Sequence, residues 1–170
     1  MKLEFEMTDL GKMKYFLGVE ILQNQGIYIS QKKYAKEVLE KFRIEKSNSV
    51  KNPIFPGVRR PKDEGVKTNA TMYKQLIGSL MYLTATRPDV MYVVSIMSRF
   101  KASPTELHLH AAKRVLKYLK GTIDLGILYR KRGNGELIAY TDSDYAEDID
   151  DRKNTSGYVF LLSDGAVSWS

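Results

Sequence analysis

Acidic residues are concentrated near the carboxyl end of the sequence, and they are the side chains best suited to metal-dependent chemistry. The stretch AYTDSDYAEDIDDRK, which begins at Ala139, holds six carboxylates in an otherwise basic chain. Carboxylate oxygens are common ligands of Ca²⁺ and Mg²⁺, and a pair of Mg²⁺ ions about 4 Å apart can drive phosphodiester hydrolysis. The six acids are Asp142, Asp144, Glu147, Asp148, Asp150 and Asp151.

The spacing of these acids excludes a calcium loop of the EF-hand type. Such a loop needs an oxygen ligand and then a glycine where this chain has Ala146 and Glu147. The pair Asp150 and Asp151 lies in a charged run, which is typical of a solvated loop. Asp142 remains as a candidate metal ligand, because the apolar segment LIAY leads into it as a strand would. One carboxylate cannot hold two metal ions, so further ligands must come from elsewhere.

A row of cations in the segment SPTELHLHAAKRVLKYLKGT is the second candidate for chemistry. At about 100° per residue, five basic side chains fall within one third of a helix, opposite an apolar face. Such a row suits sequence-independent binding of nucleic-acid phosphates, and the alternative is an ordinary solvated face. The side chains are His110, Lys113, Arg114, Lys117 and Lys120.

Several other classes of site lack their sequence motifs. The two histidines, His108 and His110, are two positions apart and point to different helix faces, which disfavours a shared metal site. The chain has no cysteine, which excludes disulfides and thiolate ligands. It also has no G-x-S-x-G nucleophile elbow and no G-x-x-x-x-G-K-[ST] phosphate loop.

Composition predicts a folded and soluble chain with a basic body and an acidic end. Of its 170 residues 43% are hydrophobic, and the formal net charge is +7. Residues 1–136 carry 25 Lys and Arg against 13 Asp and Glu, whereas residues 137–170 carry 2 against 7. No apolar run approaches the roughly 20 residues of a membrane span, and the charged start MKLEFEMTDLGK does not resemble a signal peptide. We therefore expect no membrane partner.

Hydrophobic periodicity predicts the elements that position these residues. The segment KYFLGVEILQNQGIYIS alternates as a hairpin, and Ser30 is a candidate N-cap for the helix that follows it. Residues 47–70 have no sustained period and form a connector. Three helices follow: the first has Leu76, Ile77, Leu80, Met81 and Leu83 on its apolar face, the second opens at Pro88, and the third is the basic segment. A capping box of Ser103 and Glu106 is expected to start the third helix, with Pro104 at its first position.

The last part of the chain is expected to be antiparallel sheet. The segment LGILYRKRGNGELIAYTDSD predicts two strands around an RGNGE turn. The segments TSGYVFLL and AVSWS predict two more.

Three long segments, in this order, resemble the Pol polyprotein of copia-type retrotransposons. They are LIGSLMYLTATRPDVMYVVSIMSRF, SPTELHLHAAKRVLKYLKGT and AYTDSDYAEDIDDRKNTSGYVFLLSDGAVSWS. The resemblance covers nearly the whole chain and implies the reverse transcriptase and ribonuclease H region. It implies an α+β fold with a β-hairpin, a helical middle like a thumb or connection, and an incomplete antiparallel ribonuclease H-like sheet.

The resemblance also implies a domain order. Residues 1–46 would end the polymerase palm with a hairpin and a helix, 47–71 would be a connector, 72–122 the helical middle, and 123–170 the first strands of a truncated ribonuclease H-like domain.

Site residues follow from the same resemblance. Phe16, Leu17 and Gly18 match the primer-grip motif, although a hairpin packed on the core would also explain Phe16 and Leu17. Asp142 matches the first metal-binding aspartate of ribonuclease H, and Glu147 stands where that family usually has glycine. The cationic face would grip the template and primer duplex.

The function implied is that of a fragment that is catalytically inactive alone. The polymerase aspartate pair would precede Met1, and the remaining ribonuclease H carboxylates would follow Ser170. The parent family uses Mg²⁺, and we expect no stable binding of it here. The expected partner is an RNA/DNA hybrid or duplex DNA, bound without sequence preference inside the cell, in the cytoplasm or the nucleus.

Two alternatives remain open at this point. Flanking sequence or a partner chain, such as the missing palm or ribonuclease H segments, could complete an active polymerase and ribonuclease H. This alternative predicts an exposed, aggregation-prone edge at AVSWS. The chain could also be a non-functional relic that folds poorly.

Overall fold

A computed structural model describes residues 11–54, 65–131, 135–144 and 155–170. It contains two antiparallel sheets and four α-helices, so the expected α+β class with antiparallel sheet is confirmed for the described part of the chain. No helix among these residues is long and apolar enough to cross a membrane.

The first sheet contains the predicted hairpin and extends it on both sides. Its strands lie in the order β1-β2-β3-β4. Ile21, Ile29 and Ile127 are cross-strand neighbours and form one apolar row across β2, β3 and β4. The bounds are β1 Tyr15–Phe16, β2 Val19–Gln23, β3 Gly26–Ser30 and β4 Ile127–Arg130.

The position of β4 corrects the predicted pairing at the carboxyl end. The sequence indicated a hairpin of β4 with the strand after RGNGE, but β4 pairs with β3, with Arg130 opposite Gly26. A Cβ atom on Gly26 would lie 2.4 Å from the carbonyl oxygen of Tyr129, so only glycine lets the two backbones approach this closely. The domain boundaries suggested by the resemblance stay predictions.

Four helices supply most of the hydrophobic core. Twenty-one buried apolar residues make one cluster, which draws on every helix. The predicted apolar face of α2 is correct except for Met81, which is 48% exposed, whereas Tyr73 is fully buried in its place. The bounds are α1 Lys32–Lys41, α2 Ala70–Leu83, α3 Met91–Ser98 and α4 Glu106–Gly121, with a 3₁₀ turn at Pro88–Val90 before α3.

The predicted N-cap of α1 is wrong. Its N-cap is Gln31, and no side chain caps the helix there. Ser30 is instead the last residue of β3 and is buried. Ser30 therefore belongs to the β-strand, and the helix begins after it.

An ionic cluster around the buried Arg87 joins the turn before α3 to the end of α4. The Arg87 side chain is 5% exposed, and its Nε and Nη2 donate to the two carboxylate oxygens of Asp89 at 2.8 and 2.7 Å. The same guanidinium donates to the carbonyl and hydroxyl oxygens of Thr122 at 3.0 and 2.7 Å. Tyr118 donates to Asp89 at 2.9 Å. The buried charge of Arg87 is thus paired with the partly exposed carboxylate of Asp89, as burial of a charge requires.

The second sheet has the strand order β5-β6-β7 and packs beside the first. Tyr129 of β4 donates its hydroxyl to the carbonyl of Ala166 at 2.5 Å, and Trp169 donates its indole N–H to the carbonyl of Thr84 at 3.0 Å. These contacts fix β7 against β4 and the end of α2. The bounds are β5 Leu137–Asp144, β6 Thr155–Leu162 and β7 Gly165–Trp169. A ribonuclease H-like identity for this sheet stays a prediction.

Candidate nucleic-acid interface

Helix α4 has the predicted cationic face on one side, and its opposite side packs into the hydrophobic core. Seven of its residues are buried, six of them apolar or small and the seventh His108. Lys113 and Lys120 are seven positions apart, which corresponds to a rise of about 10 Å along the helix axis. No acidic residue occurs between Glu106 and Asp124, so the cations on this face have no carboxylate neighbour along the helix.

The start of α4 differs from the predicted cap. Thr105 is the N-cap, and His108 takes the third helical position. The backbone N–H of Thr105 donates to Nδ1 of His108 at 3.1 Å, while the Thr105 side chain accepts from the N–H of His108. Pro104 therefore lies before the cap, and Ser103 and Glu106 do not form the box. Thr105 also forms an isolated antiparallel β-bridge with Lys67.

His108 is held tightly enough that its protonation would be costly. Its ring stacks on Phe100 with centroids 3.9 Å apart and planes 14° from parallel. Burial, and after it the nearby charge of Lys67, lowers the pKa of the imidazole. Its Nε2 is buried and makes no hydrogen bond within the described residues. His108 is therefore a structural residue of α4 rather than a ligand.

The connector packs on the basic face, which the sequence did not predict. Nε of Arg114 donates to the carbonyl oxygen of Asn52 at 3.0 Å, and Nζ of Lys120 donates to the carbonyl oxygen of Ser47 at 2.6 Å. Both contacts span more than sixty residues of sequence. Two of the four Lys and Arg side chains predicted on this face are thus engaged with connector backbone.

The other two predicted cations are differently placed. Lys113 and Lys117 are half-buried, and within the described residues no hydrogen bond or ion pair engages their ammonium groups. The backbone of Lys117 does contact the connector, because its carbonyl accepts from the N–H of Val50 at 3.4 Å. These two lysines lie four residues apart and share one helix face.

The predicted primer-grip residues lie at the tip of an exposed turn. Leu17 and Gly18 have φ values of 44° and 76° and form the two-residue turn between β1 and β2. Phe16 and Leu17 are 55% and 71% exposed. This exposure disfavours the alternative in which both side chains pack on the core, and the primer-grip role stays a prediction.

Tyr82 supports this turn from α2, a role that its sequence context did not reveal. Its hydroxyl donates to the carbonyl oxygen of Leu17, and its ring packs edge-on against Tyr34 at 4.8 Å. A Cβ atom on Gly18 would lie 3.1 Å from the same hydroxyl. Glycine at this position therefore serves both the positive φ and the close approach of the tyrosine.

Asp142 lies within β5 rather than at its end. The strand continues to Asp144, and Asp142 is exposed opposite Gly157 of β6. Asp150 and Asp151, which were predicted to lie in a solvated loop, are outside the described residues, as are Glu147 and Asp148.

The described residues do not fit a two-metal centre. They contain no group of three or more His, Cys, Asp or Glu side chains that could hold a metal ion. Reverse transcriptases in general use divalent metal ions, yet Asp142 is a single carboxylate and a pair of such ions needs several.

Comparison with known proteins identifies relatives along nearly the whole chain. Residues 1–56 match the family described as reverse transcriptase (RNA-dependent DNA polymerase). The chain is 39% identical to a retrovirus-related Pol polyprotein from transposon RE1 of Arabidopsis thaliana, over 98% of this chain and 12% of that protein. It is 35% identical to the corresponding polyprotein from transposon TNT 1-94 of Nicotiana tabacum, over 97% of this chain and 13% of that one.

A shorter relative is covered more fully. An uncharacterized mitochondrial protein of Arabidopsis thaliana is 33% identical over 98% of this chain and 70% of its own length. No solved structure gives a significant match.

Proposed function

Because the chain belongs to the reverse transcriptase family of retrotransposon Pol polyproteins, we propose that it binds the phosphate backbone of a nucleic-acid duplex through the basic face of α4. The family as a whole binds nucleic acid. The observation that carries the proposal is a face with Lys113, Arg114, Lys117 and Lys120 on one side of a well-anchored helix, with no acid between Glu106 and Asp124.

The chemistry of this face suits phosphates and not base edges. Lysine and arginine that neutralise phosphates release condensed counterions, which gives affinity without sequence information. The helix is fixed at its start by the Thr105 and His108 cap and at its end by the Arg87 cluster. A helix that is fixed at both ends loses less backbone freedom on binding than a mobile segment would.

Binding should therefore be independent of base sequence. The test measures fluorescence anisotropy of two labelled RNA/DNA hybrids and two DNA duplexes of unrelated sequence. We expect equal affinities for the two sequences of each kind. A strong preference for one sequence, or no binding at low salt, would contradict the proposal.

We further propose that these 170 residues do not hydrolyse RNA on their own. Asp142 is the one residue that matches a ribonuclease H ligand, and a single exposed carboxylate cannot clamp two Mg²⁺ ions. The test incubates a labelled hybrid with the chain and Mg²⁺. Cleavage of the RNA strand that disappears with Asp142→Asn would overturn this part of the proposal.

Exposed apolar residues on the second sheet favour a second candidate, in which residues outside this chain complete that sheet. Leu137, Tyr140 and Leu162 are 62%, 57% and 45% exposed, and Val167 of β7 is 44% exposed. The chain spans only 12% of the RE1 polyprotein that it matches. Sedimentation velocity tests this candidate: we expect association that rises with concentration and weakens with Val167→Lys, whereas a strictly monomeric chain would count against it.

A further inference from the structure

We propose that the duplex-binding surface is built from two segments. Lys51 of the connector and Lys46, the residue just before the connector, are together called the connector lysines, and they contact phosphates beside Lys113 and Lys117 of α4. In this arrangement Arg114 and Lys120 are positioning residues that fasten the connector to the helix. The inference rests on the proposed function and assigns individual roles within its site.

The fastening consists of contacts at both ends of the connector segment Ser47–Ile54. Lys120 holds the carbonyl of Ser47, and Arg114 holds the carbonyl of Asn52. The Asn52 side chain in turn accepts from the N–H of Ile54 at 2.8 Å, which shapes the chain just after the Arg114 contact. The connector therefore follows α4 for several residues instead of leaving it.

These contacts place both connector lysines next to fastened residues. Lys51 lies between Val50, which donates to the carbonyl of Lys117, and Asn52, which accepts from Arg114. Lys46 immediately precedes Ser47. The side chains of Lys46 and Lys51 are exposed, so their ammonium groups can reach a polyanion that lies along the helix.

The charge of the composite surface favours a nucleic-acid backbone as the occupant. The segment Ser47–Ile54 contains Lys51 and no acid, and the face of α4 beneath it contains no acid either. Glu45, which lies just before Lys46 and outside the connector, is the nearest carboxylate along the sequence. A surface with cations on two adjacent segments can neutralise more phosphates than the helix row alone, which raises affinity and steepens its salt dependence.

The first test removes the connector charges. Lys46→Ala with Lys51→Ala should make the negative slope of log affinity against log salt shallower by about 2, since each phosphate contact contributes about 0.9 to its magnitude. The matched control is Lys36→Ala with Lys74→Ala, which removes the same charge from exposed positions on α1 and α2. An unchanged slope for the connector pair, or an equal loss for the control pair, would overturn the inference.

The second test moves the connector without changing any charge. A Cβ atom on Gly121 would lie 3.0 Å from Cβ of Ser49, so Gly121→Val must push the connector away from α4. Gly78→Val is the matched control, because nothing lies within 4 Å of a Cβ atom there. We expect Gly121→Val to bind more weakly than Gly78→Val with a flatter salt dependence. Equal binding by two folded variants would overturn the inference.

A third variant separates failure of the inference from failure of the proposed function. Lys113→Ala with Lys117→Ala should flatten the slope if α4 binds duplex at all. If this pair of substitutions flattens the salt dependence and the pair at Lys46 and Lys51 does not, the duplex-binding surface is confined to α4. If neither pair of substitutions changes the salt dependence, the proposed function fails as well.

Discussion

The guanidinium of Arg114 lies 3.0 Å from the carbonyl oxygen of Asn52, although 62 residues separate them in the sequence. This hydrogen bond joins the basic face of α4 to a segment that has no secondary structure of its own. A cation that the sequence assigns to a phosphate is thereby engaged with protein backbone. Cations that look equivalent in the sequence therefore have different contacts in the structure.

The stability of the helical core should distinguish two neighbouring residues of α2. Leu80 is fully buried and Met81 is 48% exposed. Leu80→Ala should lower the free energy of unfolding by about 2–5 kcal/mol, because it leaves a cavity as well as losing apolar burial. Met81→Ala should cost under about 1 kcal/mol.

Urea unfolding followed by circular dichroism measures both variants. Similar losses for the two would mean that the side of α2 facing the core is misassigned. A cooperative wild-type transition would also argue against the alternative of a poorly folded relic, whereas a broad one would favour it.

The Arg87 cluster should stabilise the fold far more than an exposed ion pair does. Arg87→Met leaves the Asp89 carboxylate without its partner and should cost about 3 kcal/mol, the low end for a broken buried pair because Asp89 is one-third exposed. Arg130→Met removes the exposed pair with Asp164 and should cost under about 1 kcal/mol. The same urea measurement compares them, and equal losses would contradict a special role for the cluster.

Stability should fall on mild acidification because of His108. Burial, and then Lys67, places the pKa of its imidazole below the usual 6.5, so the unfolded chain binds a proton more readily than the folded one. The contribution is complete above pH 6.5 and is lost as the pH falls toward the lower pKa of the folded state. The loss should approach about 1.4 kcal/mol per pH unit for one proton.

Glutamine variants test the source of that loss. His108→Gln keeps a capping-box side chain at the third helical position but cannot titrate, so its unfolding free energy should be flat between about pH 6.5 and 5. His110→Gln, at the exposed second histidine, should behave as the wild type does. A His108→Gln chain that keeps the wild-type pH dependence would exclude His108 as its cause.

Asp89 affects stability in a lower pH range, which does not overlap the range of His108. Burial raises the pKa of this carboxyl, but the hydrogen bonds and charge of Arg87, with the Tyr118 hydroxyl, outweigh it, and the net pKa is lowered from 3.8. Its contribution to stability is therefore present above about pH 4 and is lost as the pH falls below that value.

Local sequence patterns predicted elements well and long-range pairing poorly. The periodicity of α2, α3 and α4 marked all three helices, since apolar spacing depends only on nearby residues. The pairing of β4 with β3 could not be found this way, because it depends on two backbones separated by about a hundred residues. Gly126, where a Cβ atom would lie 2.3 Å from the carbonyl of Ile29, was the available clue.

For the candidate nucleic-acid interface, too, local sequence predicted the helix face but not the long-range contacts. The cationic side chains of α4 are evident from helical spacing. The connector contacts are not, because Arg114 and Lys120 bind backbone carbonyls that every residue possesses. The start of α4 was misplaced by two residues, since Ser103 and Glu106 fit the usual capping pattern while the structure uses Thr105 with a histidine.

Binding of an RNA/DNA hybrid across a salt series tests the central claim most directly. The wild type is compared with the chain in which Lys113, Arg114, Lys117 and Lys120 are all changed to Ala, once circular dichroism shows both to be folded. We predict a steep fall of log affinity with log salt for the wild type and a slope flatter by about 3 or more for the variant. Equally weak binding by the two chains would contradict the claim and leave the basic face of α4 as a solvated surface.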